Sequence, residues 1–518
     1  MLDLVQNHGI DRVLRFNREP RYGKPQAAGL GQVTAGLFSS PLSFVQISVV
    51  LLIVAVLARA QVFGSAVVNV DEQFYLLVGG RMLHGALPFV DIFDRKPIGL
   101  FLIYAAARLL GGSGVIAYHS LALLSAWGTA CMVASMTRRV APSGAALVAG
   151  ILYLLYLDLA GGEAGQAPVF YNLPVAVAAW IVMTKSATAT ERGLRGPGLA
   201  AMALIGVALQ IKYSVVFEGL FLGGWLLAVS YARGRAIKDL AIDAVIWVGA
   251  ALFPTVMAAS VYAMLGHFDA WMFANVFSIL HRGSERPETV AMRIAAMAAL
   301  TVPLVLSIVA RRWTDRPTHE WVRAHLRFID WWAASALLGV IVFGTWLNHY
   351  ALPLFVPFSV AVAPLWTRRW GAAWLCLVLL AVGITGQRLL SRHSLTRGTN
   401  ADLAMAVSAA GRFQGCPFVY DGMTAFYDVT DSCLPTTRAF PAHLQSRNER
   451  GGTGIDQVDE VTRIMAGRPA RVMSMEPAYP EENLAARAAV YRVLRKDYSV
   501  LYRFGRGPRS FVIYGRRD

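Results

Sequence analysis

The chain reads as an all-α polytopic membrane protein of about eleven transmembrane helices, followed by a small C-terminal α/β domain on the extracytoplasmic side. Three observations lead there. Hydrophobic residues make up 56% of the 518 and charged residues 15%, against roughly 25% charged in an average soluble domain. Mean hydropathy is +0.48, which is more apolar surface than a water-soluble core of this size can hide. The apolar runs are continuous, as in spanning helices, without the alternation of barrel strands. A soluble enzyme, a disordered chain and a fibrous protein are excluded.

The spans follow in order. Residues 1–40 are polar and basic, with no cleavable signal, and read as a cytoplasmic segment before the first span. Apolar stretches then lie near 41–58, 97–110, 115–137, 141–158, 168–184, 197–211, 214–231, 240–265, 294–310, 328–347, 351–366 and 370–386. A span needs about 20 apolar residues, so 97–110 is short. With a cytoplasmic N-terminus and 97–110 left uncrossed, Arg138-Arg139, the basic loops 185–195, 233–238 and 311–327, and Arg368-Arg369 all fall inside, as the positive-inside rule requires. If 97–110 crossed, the same clusters would fall outside. It is therefore read as an interfacial or re-entrant helix within an outer loop, 61–114, of a transmembrane domain over 41–388. This accounts for the net charge of +16 without a nucleic-acid partner, of which no signature is present. The expected location is a bacterial inner membrane, with the N-terminus cytoplasmic and the C-terminus periplasmic.

From 389 to 518 polar and apolar residues mix, with turn signals between them. Short strands are expected at Phe418–Tyr420, Val472–Ser474, Val500–Tyr502 and Phe511–Tyr514, and helices near 400–413, 455–467 and 481–495. Cys416 and Cys433 both fall in this tail, and in an oxidising compartment such a pair forms a disulfide. Cys131 and Cys376 lie inside spans and read as free core thiols.

The residues able to do chemistry collect on the outer face. The loop runs Asn69-Val70-Asp71-Glu72-Gln73 and ends Phe93-Asp94-Arg95-Lys96-Pro97. Asp71 stands where a helix N-cap would. Four carboxylates together with Arg95 and Lys96 within 26 residues, beside an interfacial helix, suggest an acid and a cation acting together. Sugar transfer from a lipid-linked phosphate needs that pairing. A base takes the acceptor proton and a positive charge steadies the leaving phosphate. Asp71 could supply the first and Lys96 the second.

These segments resemble the first outer loop of GT-C glycosyltransferases, in particular the aminoarabinose and galacturonic acid lipid A transferases and the protein O-mannosyltransferases. In that family an acidic pair precedes one interfacial helix and a D-x-KPP-like segment opens another. Ile98 stands here where the family often repeats proline. The resemblance covers roughly 41–390. It implies that Asp71 is the catalytic base, that Lys96 binds the lipid phosphate, and that Glu72 and Asp94 belong to the same substrate site. It also implies a second outer acid, for which Glu163 is the candidate and Asp158 the competitor. Asn172 could orient a sugar hydroxyl. Lys212, Arg282 and the pair His349-Tyr350 are further candidates for an anionic lipid donor, each with a plain anchoring role as the alternative.

The expected activity is therefore inverting transfer of one sugar from a polyprenyl-phosphate donor to lipid A, lipopolysaccharide, another envelope glycan or a protein. A transporter or lipid flippase, and a non-catalytic envelope scaffold of the same fold, are the rival readings. Asp91 and Asp94 could hold a divalent ion, so metal dependence stays open; no other cofactor is suggested.

Overall fold

The computed structural model describes residues 41–188, 193–314, 317–505 and 507–517. The expected cytoplasmic segment 1–40 and parts of the basic loops 185–195 and 311–327 lie outside the described residues.

Eight helical segments among the described residues are long and apolar enough to cross a membrane: 115–137, 167–188, 213–232, 237–264, 287–314, 320–343, 348–367 and 369–410. Three shorter apolar helices, Phe44–Arg59 (α1), Ser143–Leu159 (α5) and Arg195–Leu209 (α7), stand at the other three positions where spans were expected. The chain is a multi-pass membrane protein. Helix α3, Ile98–Leu109, has 12 residues, about 18 Å of helix, against a hydrocarbon core of about 30 Å. It lies against α2, Val70–Met82, and the two backbones approach closely at Gly79. A Cβ there would sit 2.6 Å from the amide nitrogen of Ala105.

Helix α2 begins two residues earlier than expected. Its N-cap is Asn69, whose side chain accepts from the Asp71 amide at 2.9 Å. Asp71 is thus in the first turn, and its carboxylate is not engaged in capping.

Loops alternate between the two ends of the bundle. At one end Arg233 donates to the carbonyl of Ser186, and Arg195 and Arg235 both pair with buried Asp243. At the other end lie the loop before α2, the loop 160–166 between α5 and α6 (Ala167–Thr188), the break at Lys212 between α7 and α8 (Val216–Ala232), and the segment after α9 (Ile237–Met264). That segment leads through the short apolar helix Phe268–Leu280 (α10) into α11, Pro287–Thr314. Helix α12 (Glu320–Phe343) ends at the same end as the 3-10 turn Asn348–Leu354, which leads into α13, Phe355–Val362. Helix α14, Arg369–Arg397, continues unbroken past the expected span end at 386 and carries His393 and Arg397 back to this end.

After α15, Asn400–Ala410, the C-terminal part forms a four-stranded sheet in the order β1-β2-β4-β3. Strand β1 (Phe418–Val419) pairs parallel with β2 (Arg471–Glu476); β2 with β4 (Ser510–Arg516), and β4 with β3 (Tyr498–Phe504), pair antiparallel. Helices α18 (Gln457–Ala466) and α19 (Leu484–Asp497) pack on the sheet, burying Val461, Ile464, Val490 and Leu494 with Val472 and Val512. Two short helices, Ala425–Val429 (α16) and Pro441–Gln445 (α17), lie between β1 and α18. Cys416 and Cys433 are joined as a disulfide with Cα atoms 4.9 Å apart, and Cys131 and Cys376 are free.

Candidate active site

Helix α2 presents two neighbouring acids to different surroundings. Asp71 is half-buried, and its Oδ2 accepts from Gln166 Nε2 at 2.9 Å. Glu72 is fully buried, with the Gly165 amide beside its carboxyl group. Burial lifts its pKa to about 8, against the opposing pull of the Gly165 amide, and nearby Glu163 and Asp71 add to the rise. Glu72 therefore keeps its proton well above the usual carboxylate range, and Asp71 is the less buried acid of the pair.

Both partners come from the loop 160–166. Tyr104 of α3 fixes that loop by donating to the Gly165 carbonyl at 2.8 Å. No side chain fits at 165, since a Cβ would lie 2.4 Å from the Tyr104 hydroxyl. Glu163 in the same loop is buried, with Oε1 3.2 Å from His393 Nδ1 and 3.0 Å from Arg397. Burial alone would raise the Glu163 pKa, but His393 and Arg397 outweigh it and the net direction is down, so the acid is ionised. Arg397 also donates to the Val68 carbonyl at 2.6 Å, which ties α14 to the chain entering α2. The structure thus sets Glu163 in an interior ion pair with His393 and Arg397.

Lys96 ends the loop between α2 and α3. Its Nζ is 3.9 Å from Asp94 Oδ1 and 5.6 Å from the ring centre of Tyr75. Burial opposes its charge, but Asp94, then Asp71, outweigh burial and raise its pKa, so Lys96 is cationic. Burial raises the pKa of Asp94, while Lys96 and the Arg95 amide, at 2.6 Å, pull it down. Asp71, Asp94, Lys96 and Tyr350 lie within electrostatic reach of one another. Lys212, in the break between α7 and α8, stands 3.7 Å from the ring centre of Tyr350. Burial, and then Lys96, lower its pKa to about 7. His349 packs beside Tyr350, its ring tilted by 32° and the ring centres 4.7 Å apart.

The remaining expected residues are placed differently. Asn172 is buried in the bundle, where its amide donates to the Tyr153 hydroxyl at 3.3 Å and the Leu352 carbonyl at 3.2 Å, a contact that ties α6 to the 3-10 turn. Arg282 is paired with Glu449 at 3.0 Å, and Arg95 with the same carboxylate. Asp158, the competitor of Glu163, is a buried acid 3.3 Å from Gln387 Nε2. Gln166, His393, Arg397 and Glu449 were not expected from the sequence. The only available signal was Arg397, a basic residue at the end of a long helical run. Among the described residues no group of three His, Cys, Asp or Glu is placed to hold a metal ion.

The arrangement offers a half-exposed carboxylate held by an amide, a lysine across the same edge, and a second lysine whose charge is weakened by burial. Beside it, an open cleft of about 440 Å³ runs between Asp91 and the C-terminal domain, lined by Thr436, Thr437, Arg438, Glu460 and Arg463 among others.

No protein-family model matches the sequence, and no curated protein matches it. The structure is similar to that of ArnT from Cupriavidus metallidurans bound to undecaprenyl phosphate, with TM-score 0.58, 14% identity, and coverage of 90% of this chain and 97% of that chain. It is also similar to the apo oligosaccharyltransferase of Archaeoglobus fulgidus, with TM-score 0.49, 12% identity, and coverage of 83% and 69%. The chain shares the fold of ArnT over almost the whole of both chains.

Proposed function

We propose that the chain transfers a single sugar from a polyprenyl-phosphate donor to a hydroxyl-bearing acceptor on the outer side of a bacterial inner membrane. The observation that carries this is that Asp71 of α2 and Lys96, just before α3, are both half-buried and within electrostatic reach of each other. The binding of undecaprenyl phosphate by the structurally similar ArnT supports the donor class.

Asp71 takes the proton of the acceptor hydroxyl while that oxygen attacks the anomeric carbon. The bond between that carbon and the phosphate oxygen breaks, and its electron pair leaves with the phosphate. One displacement inverts the anomeric centre. Gln166 orients the base, while Lys96 and Lys212 balance the charge that grows on the phosphate. Glu72, uncharged, allows the Asp71 charge to exist beside it without a second carboxylate repelling it. Lipid A or lipopolysaccharide, another envelope glycan, and protein all remain candidate acceptors for the cleft next to the C-terminal domain.

The test is a transfer assay on the full chain in lipid nanodiscs, with a panel of labelled polyprenyl-phosphate sugars and membrane extracts as acceptors. Label should move from at least one donor to an extracted acceptor with wild type. Absence of transfer from every polyprenyl-phosphate sugar, in protein that folds and binds undecaprenyl phosphate, would reject an enzyme and favour a carrier of lipid.

A further inference from the structure

Next to Lys96, one carboxylate of the C-terminal domain holds two arginines from different parts of the membrane domain. Glu449 lies in a 3-10 turn, Arg447–Glu449. Its Oε2 takes Arg95, and its Oε1 takes Arg282 at 3.0 Å. Arg95 also donates to Ser278 Oγ at 2.6 Å and to the Gly452 carbonyl at 3.2 Å. The segment carrying Arg282 is pinned to the same turn, since Gly283 donates to the Asn448 carbonyl at 3.0 Å and Asn448 to Glu285 at 2.6 Å. Glu449 is 6% exposed, so its charge acts on the arginines rather than on water. Arg95 acts on Lys96, and Arg282 lies within electrostatic reach of Tyr350, so the junction belongs to the phosphate end of the site.

We propose that Glu449 is a positioning residue for the donor phosphate. It fixes Arg95 and Arg282 beside Lys96 and cancels one of their two charges, so that the spent carrier can leave. This rests on the polyprenyl-phosphate reading above. The physical argument is a change of charge during the reaction. A sugar phosphodiester carries one negative charge, whereas the monoester left after transfer carries about −1.5 to −2 at neutral pH. Three unbalanced cations, Arg95, Lys96 and Arg282, would therefore hold the product more firmly than the substrate and slow turnover. With Glu449 in place the two arginines present a net charge of one, in a fixed orientation. The C-terminal domain thereby takes part in the chemistry of a site whose base and lysines all lie in the membrane domain.

The experiment measures undecaprenyl phosphate affinity and steady-state rates for the full chain in nanodiscs. Glu449→Gln should bind undecaprenyl phosphate about tenfold more tightly, with kcat and donor KM both reduced. Glu449→Asp keeps the charge and should return affinity to within about threefold of wild type. Arg95→Gln alone should weaken binding, and Arg95→Gln combined with Glu449→Gln should restore it, because the net charge returns to that of wild type. That pair also carries the test if Glu449→Gln alone fails to fold. Unchanged or weaker binding in folded Glu449→Gln, or no restoration in the double variant, would overturn the role of Glu449 while leaving the donor assignment standing. Failure of wild type to bind undecaprenyl phosphate would instead overturn the donor assignment.

Discussion

At Glu72 the first turn of α2 carries a carboxyl group into the interior, and burial outweighs the Gly165 amide and lifts its pKa to about 8. Its pKa is raised above the ordinary 4.5, so the unfolded chain releases this proton first. The stability it confers is complete below about pH 4.5, falls as pH rises, and is lost above about pH 8. Thermal unfolding followed from pH 4.5 to 9 should therefore show a declining Tm that Glu72→Gln, neutral throughout, shows to a smaller degree. An identical slope in both would mean that Glu72 is ionised in the folded protein. Lys96 and Arg95 make a second comparison at this scale. Lys96→Ala should reduce transfer more than Arg95→Ala, since Lys96 faces the reacting edge and Arg95 acts through Glu449 and Ser278. Steady-state rates at saturating acceptor decide it, and equal small losses would make both residues anchors.

Among the elements, the extension of α14 past its expected span end at 386 has a structural consequence that can be measured. Arg397 and His393 reach Glu163, and Arg397 also holds the chain entering α2. Removing one partner of a buried pair leaves an uncompensated charge, typically at a cost of about 3–5 kcal/mol. Arg397→Met should lower stability and activity together, whereas the paired change Arg397→Met with Glu163→Gln should recover most of the stability. Denaturation in matched detergent tests this, and no recovery in the double variant would mean that the contact with Val68 carries the effect. The apolar helices, the shortness of α3 and the strand–helix alternation of the tail were legible because each is set by local apolar length or period. The bounds of α2 were not, because Asn69 and Asp71 are both good caps and only the fold chooses between them. The partners of Glu163 and Arg282 come from positions 230 and 167 residues away. No spacing rule links such positions, so sequence alone left those acids and arginines looking like free candidates for substrate.

For the whole molecule, the two ends of the bundle differ in charge, and the expected orientation follows from the basic loops. Reporter fusions after Arg139, Arg235 and Arg312 should report the cytoplasm, and fusions after Gly162 and His281 the outer compartment. An external Arg139 would reverse the orientation and detach the site from an outer donor. The disulfide between Cys416 and Cys433 closes a loop with a sequence separation of 17, for which the chain-entropy model gives about 3 kcal/mol. Reduction should therefore lower the unfolding temperature of the C-terminal domain, and alkylation of unreduced, unfolded protein should label Cys131 and Cys376 but not the pair. The central claim is that Asp71 removes a proton while Lys96 holds the phosphate, and one measurement separates those roles. Undecaprenyl phosphate affinity and single-turnover transfer are compared in wild type, Asp71→Asn and Lys96→Ala. Asp71→Asn should bind as wild type does and lose about 10²–10⁴ in rate, whereas Lys96→Ala should lose affinity as well as rate. Near-normal transfer by folded Asp71→Asn would contradict the account.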